Sequence, residues 1–183
     1  MATCDVNAGR GLSCKDSISG LKNVYFINYG DGEFTFDSAT EEITGTSALT
    51  PPNAYKYELH LGNDLTSNIN SSAENGTLFF EQVLSLTLKK LSQGDNVQIK
   101  QLSSGHPHIM VEDQMGNFML VGYKNGADVS AGTAVTGSNF GDLNGYTLSF
   151  TANERYLPNF YVEAATPGDP SPFLTDFTIV EAV

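Results

Sequence analysis

A chain of 183 residues with 21 Asp and Glu against 9 Lys and Arg carries a formal charge of -12. That balance works against recognition of nucleic acid through its phosphates, which draws on counterions displaced by bound cations. It fits an ordinary soluble protein or a surface past which DNA moves without sticking. No stretch approaches the roughly eighteen apolar residues of a membrane span, and no basic-then-apolar leader is visible, so a protein without a membrane partner, made and kept in a cytoplasm, is expected.

The length suits one domain with a sizeable core. Residues 1–20 show little apolar periodicity and read as an arm. Cys4 and Cys14 both fall there, and cytosolic thiols stay reduced, so a disulfide is the lesser reading and two thiols alone make no metal site. Residues 23–29 predict a first strand, Gly30-Asp31-Gly32 a turn, and residues 33–37 its hairpin partner, with Phe34 and Phe36 on one face. After Pro51-Pro52, the alternation of Tyr55, Tyr57, Leu59 and Leu61 with Lys56, Glu58 and His60 predicts another strand. Residues 65–77 read as a loop, in which the sequons at Asn70 and Asn75 matter only after secretion.

Phe80, Leu84, Leu86 and Leu88 then alternate with Glu81, Val83, Ser85 and Thr87 in a strand longer than usual. Residues 94–103 predict the single helix, with Asp95 as N-cap, Gly105 beyond its end and a narrow stripe of Val97, Ile99 and Leu102. A hairpin follows, Ile109 and Val111 against Phe118 and Leu120, turning over residues 113–117. Tyr146, Leu148, Phe150 and Ala152 give the cleanest period-two pattern. Between these runs, Gly122, Gly126, Gly132, Gly137, Gly141 and Gly145 predict long glycine-hinged loops. The prolines of residues 166–172 mark an extended spacer, and residues 177–183 a last strand that serves as an exchanged arm or an edge addition. No repeat of fixed period occurs. The expected fold is mainly β, an antiparallel β-sandwich or barrel with one short flanking α-helix and long loops, divided into an arm (1–20), a β domain (21–165) and a C-terminal extension (166–183).

Candidate chemistry is thin. His106, His108 and Glu112 could share one face of a strand around a divalent ion, a spacing that also opens the cupin metal motif. The third His of a cupin, on a later strand, is missing, since His60 lies upstream. A structural role for the group is the better reading, with no metal and no cofactor. Nothing nominates a nucleophile or a phosphate-cradling loop, so no enzyme is expected. Glu112, Asp113, Asp128 and Asp142 near turns could hold Ca²⁺, although turn carboxylates more often bond their own backbone amides. Tyr25, Phe26, Tyr29, Phe34, Phe36, Tyr55 and Tyr57 could stack on sugars, but their alternation and the lack of Trp favour core and interface packing.

The order of these elements, with the hairpin of residues 111–117 (VEDQMGN), the strand end at Gly122, Gly126 opening a long loop, residues 141–154 (GDLNGYTLSFTANE) and residues 14–30 (CKDSISGLKNVYFINYG), resembles the major tail tube proteins of tailed bacteriophages. The resemblance covers most of the chain. It implies stacked hexameric rings whose inner sheets close into a channel for DNA, in a virion tail assembled in the host bacterial cytoplasm. Its partners would be other copies of the chain, tail terminator, baseplate and tape-measure proteins, with DNA passing unbound to any sequence. Within that expectation Gly126, Asp128, Gly132, Gly137 and Phe140 form an inter-subunit loop, and Glu58 and Glu81 put carboxylates on the lumen. The tubes of contractile injection systems and type VI secretion share the fold and are the nearest alternative. Further off lies a cupin-like metal-binding barrel or another β-sandwich binding module. The extension at 166–183 departs from the family pattern.

Overall fold

The computed structural model describes residues 8–12, 14–31, 33–163 and 171–181. Cys4, Gly32 and residues 166–170 of the expected spacer lie outside them. Residues 8–12 and 14–20 form no regular element and are exposed, Cys14 included.

The β-rich expectation holds: two sheets stack as a sandwich. One has six strands: β1 (Leu21–Ile27), β4 (Asn53–Glu58), β7 (His108–Asp113), β8 (Phe118–Val121), β11 (Asn159–Phe160) and β12 (Thr178–Val180), in the order β11-β8-β7-β1-β4-β12. The other has four: β5 (Asp64–Ser72), β6 (Thr77–Lys89), β9 (Asp128–Val135) and β10 (Gly145–Glu154), in the order β5-β6-β10-β9. The alternating set Tyr146, Leu148, Phe150 and Ala152 of β10 points inward, as predicted, and meets Val24, Phe26, Ile109 and Val111 of the facing sheet. The helix α1 (Gln93–Ser104) closes this core with Ile99 and Leu102. Its N-cap is Ser92 rather than Asp95, because the Ser92 hydroxyl accepts from the Asp95 amide at 3.1 Å and donates to the Asp95 carboxylate.

β1 is apolar on both faces, which suits an interior strand of a covered sheet. Both of its edges are taken, by β4 and β7. Residues 34–37 therefore cannot pair with it as expected. As β2 (Phe34–Asp37) they pair with β3 (Glu42–Thr46) in a separate ribbon. That ribbon and a second helix absent from the prediction, α2 (Pro172–Asp176), lie over the outer face of the six-stranded sheet. There Tyr25, Met110, Phe118 and Leu120 meet Ile43, Tyr161, Phe173 and Phe177 in a second core. Pro172 starts α2 without losing a needed N–H, so the proline read as spacer is a helix start. β12 then lies parallel to β4, the edge addition of the two layouts expected.

Two further segments read as loop are strands. Residues 64–72 form β5, paired along its whole length with β6, and residues 128–135 form β9, paired with β10. Both are edge strands, β5 with one face in water and β9 exposed except at Val129, so they need few apolar residues and give a faint sequence signal.

Candidate functional site

The His106, His108 and Glu112 constellation is taken apart by the fold. His108 and Glu112 both belong to β7, four residues apart, which separates them by about 13 Å along the strand. Glu112 is buried and accepts hydrogen bonds from Lys22 Nζ at 2.6 Å, Asn23 Nδ2 at 2.6 Å and Tyr25 OH at 3.0 Å. Burial alone would raise its pKa, but these three donors outweigh it and hold the carboxyl below the usual range. Tyr25, buried against that carboxylate, is pushed up beyond the range in which a phenol ionises under ordinary conditions. His106 lies before the strand and pairs with Asp128 at the surface. Among the described residues no three His, Cys, Asp or Glu side chains are grouped as a metal site requires.

His108 is a packing residue. Its ring stacks on Tyr29 at 5.1 Å and meets the Phe34 ring edge at 5.2 Å. Because a carbonyl can only accept, Nδ1 carries the proton and donates to Gly122 O at 2.7 Å. Burial pushes the imidazole pKa below 6.5, against weaker opposing pulls from that carbonyl and from Glu154. The unfolded chain therefore takes up the proton first, and stability is lost as pH falls below about 6.5. Melting temperature is expected to drop between about pH 7 and pH 5, ahead of carboxylate titration, and His108→Phe should flatten that slope. An unchanged slope in the variant would remove His108 as its source.

The turn from Gly122 to Gly126 is held by two buried side chains. Gln82 accepts from Gly122 N at 3.1 Å and donates to Tyr156 O at 3.0 Å, while the buried Glu154 accepts from the Lys124 and Asn125 amides at 2.8 Å each. Gly122 and Gly126 both take φ near +72°, and a Cβ on either would strike backbone. Gly126, expected to open a loop, thus fixes a tight turn that leads straight into β9. Asp128 and Gly132 are residues of that strand. Only residues 136–144, with Gly137 and Phe140, remain as loop between β9 and β10.

Asp142 pins this loop. Its carboxylate accepts from Ser138 N at 2.9 Å and Asn139 N at 2.7 Å, and these amides hold it below the usual carboxylate range. Asp113 likewise accepts from the amides of Met115 and Asn117 at 2.8 Å. Both are turn carboxylates bonded to nearby backbone.

Glu58 and Glu81 sit on opposite outer faces of the sandwich. Glu58 pairs across β1 with Asn23, on the side covered by α2, and its carboxylate meets Lys56 at 3.1 Å. Glu81 faces outward on the four-stranded sheet, accepting from Asn68 Nδ2 at 3.1 Å. One sheet cannot present both to a single channel, because strand registers put them on different layers. The outward face around Glu81 carries many hydroxyls and amides, Thr66, Asn68 and Asn70 of β5, Ser85 and Thr87 of β6, Thr147, Ser149 and Thr151 of β10, together with the apolar Val83 and the exposed Phe79 of β6. The two apolar clusters lie on the two faces of the six-stranded sheet, and neither draws on this outward face of the four-stranded one.

A cleft of about 820 Å³ opens between β4 and α1 and runs on into a smaller one of about 430 Å³. Tyr55, Tyr57 and Gln98 line both. The aromatic set expected to pack divides accordingly: Tyr25 and Phe26 are core, whereas the Tyr55 ring is exposed on the cleft floor. The alternation on β4 marked one face without revealing that the facing sheet stops short of it.

Among the described residues no helix is long and apolar enough to cross a membrane. No family model matches the chain, and no curated protein matches it.

Proposed function

We propose that this chain is a structural subunit that closes into rings and stacks as the tail tube of a tailed bacteriophage. The observation that carries the reading is the pair of long edges on the four-stranded sheet, both unpaired among the described residues and interrupted only by one bulge near the start of β9. β5 has nine residues and β9 eight, with neither Pro nor Lys in either. The six-stranded sheet, by contrast, ends on strands of two and three residues. A soluble monomer normally shortens, charges or covers its edges, because unpaired N–H and C=O groups template pairing with another chain. Two open edges that differ from one another suit head-to-tail association, in which β9 of one copy meets β5 of the next and rotation closes a ring.

The uncovered face of that sheet then lines the channel. Its hydroxyl and amide side chains, with Asp64 and Glu81 among them, offer little to hold phosphate, so DNA passes without sequence-specific binding. Glu81 belongs to the lumen in this arrangement and Glu58 does not. Six-fold rings, a virion location, assembly in the host bacterial cytoplasm, and tail terminator, baseplate and tape-measure partners rest on the resemblance of the sequence. The chain has no catalytic role in this reading.

Negative-stain electron microscopy of the purified protein over a range of concentrations is the test. Rings or tubes with an axial hole are expected at high concentration. Compact monomers throughout would overturn the proposal and favour a binding module built on the β4–α1 cleft.

A further inference from the structure

Phe140 is fully exposed at the tip of a loop that is not free to collapse over it. Besides the two amides bonded to Asp142, the loop is tied down where Lys90 N donates to Asn144 O at 2.6 Å, and it turns through Gly137 at φ +74°. An aromatic ring held in water on a pinned support has already met most of the ordering cost of contact, which is how an interface anchor is built.

A receptor of the matching kind lies at the same end of the fold. The β4–α1 cleft is lined by Tyr55, Tyr57 and Leu88, and its Leu59 and His60 side comes only a few residues before β5 begins. Register fixes the geometry: Val135, the end of β9, lies level with Gly145 and Lys89, and Asp64, the start of β5, lies opposite Ser85 on the same half of β6. Copies in a head-to-tail ring share one sense. β9 of one copy therefore runs antiparallel to β5 of the next, and the loop that follows Val135 reaches the end of the neighbour at which its cleft opens.

We infer that Phe140 of each copy seats in the β4–α1 cleft of the adjacent copy, an inference that rests on the ring reading above. The contact is heterologous, knob on one side and hole on the other, so it reinforces closure of a ring and gives no isolated dimer. Tilted and edge-on contacts of the Phe ring with the cleft tyrosines are the expected packing.

The chain has no Trp, so Phe140→Trp places a lone indole reporter at the knob. Dilute protein should show the red emission and ready acrylamide quenching of an exposed indole. Ring-forming concentrations should shift emission to the blue and cut quenching several-fold. In a background of Cys4→Ser and Cys14→Ser, Phe140→Cys protein mixed with Tyr55→Cys protein should be joined between chains by a short bis-maleimide, and neither alone should be. Rings seen by microscopy with an exposed indole, or with no cross-link between the two proteins, would overturn the inference and leave the ring reading standing. A buried indole in the dilute monomer would likewise overturn it, since the loop would then be filling its own cleft. Monomers at every concentration would remove both readings.

Discussion

Phe173→Ala should lower the unfolding free energy by about 3–5 kcal/mol, seen as an earlier denaturant midpoint at an unchanged slope. Phe173 is fully buried and is the hub of the outer core. Its ring lies 5.1 Å from Tyr25, 5.2 Å from Phe118, 5.6 Å from Tyr161 and 4.8 Å from Phe177. Truncation removes contacts to four aromatic rings at once and leaves a cavity that α2, only five residues long, cannot fill by shifting without giving up its own N-terminal turn. Tyr161 OH would lose its setting beside Asp176, where it now donates at 2.6 Å. A loss below about 1 kcal/mol would mean that the C-terminal segment does not hold the outer face of the six-stranded sheet, and that its aromatic cluster is incidental to the fold.

The weight placed on Phe173 shows why the C-terminal region was hard to read. Proline spacing suggests an extended connector, and helix periodicity has no purchase on a five-residue element. Burial of Phe173 depends on Tyr25, Phe118 and Tyr161, three residues distant in sequence, so no local window contains the cause. The long strand β6 and the alternating β10 were legible for the opposite reason: ten or more residues repeat one in-out decision, and each repeat restates it. β5 and β9 lie between these extremes. Leu65 and Val129 face the core, but most of their neighbours are Asp, Ser, Thr, Asn and Ala, because an edge strand so largely exposed has little to bury. Glycine misled in the same region, since Gly126 serves a turn and Gly132 sits in a strand close against Leu148.

The candidate site was less legible than the fold. Identity of residue types brought His106, His108 and Glu112 together, but a strand spreads residues along its length, and each found a different partner. Glu58 and Glu81 share a polar-alternating pattern, yet which layer each strand joins is decided by pairing, and pairing separated them. The cleft at Tyr55 arises from the mismatch between a six-stranded and a four-stranded sheet. That mismatch is a property of the assembled layers, with no counterpart in any one segment.

Lysines on the two open edges provide the strongest test of how copies join. Thr66 on β5 and Thr133 on β9 both face away from the core, so Thr66→Lys with Thr133→Lys should leave the circular dichroism and the melting of the monomer nearly unchanged. Assembly should respond sharply. Every interface that pairs β9 with β5 of the next copy must then accommodate an ammonium on each edge, and charged edge residues, lysine above all, are the means by which sheet proteins stay apart. At about 0.7 kcal/mol for each misplaced charge, the two together raise the concentration needed for rings about tenfold. Rings that form at the unaltered concentration, with both lysines present and the fold intact, would show that the subunits meet through some surface other than the edges of the four-stranded sheet.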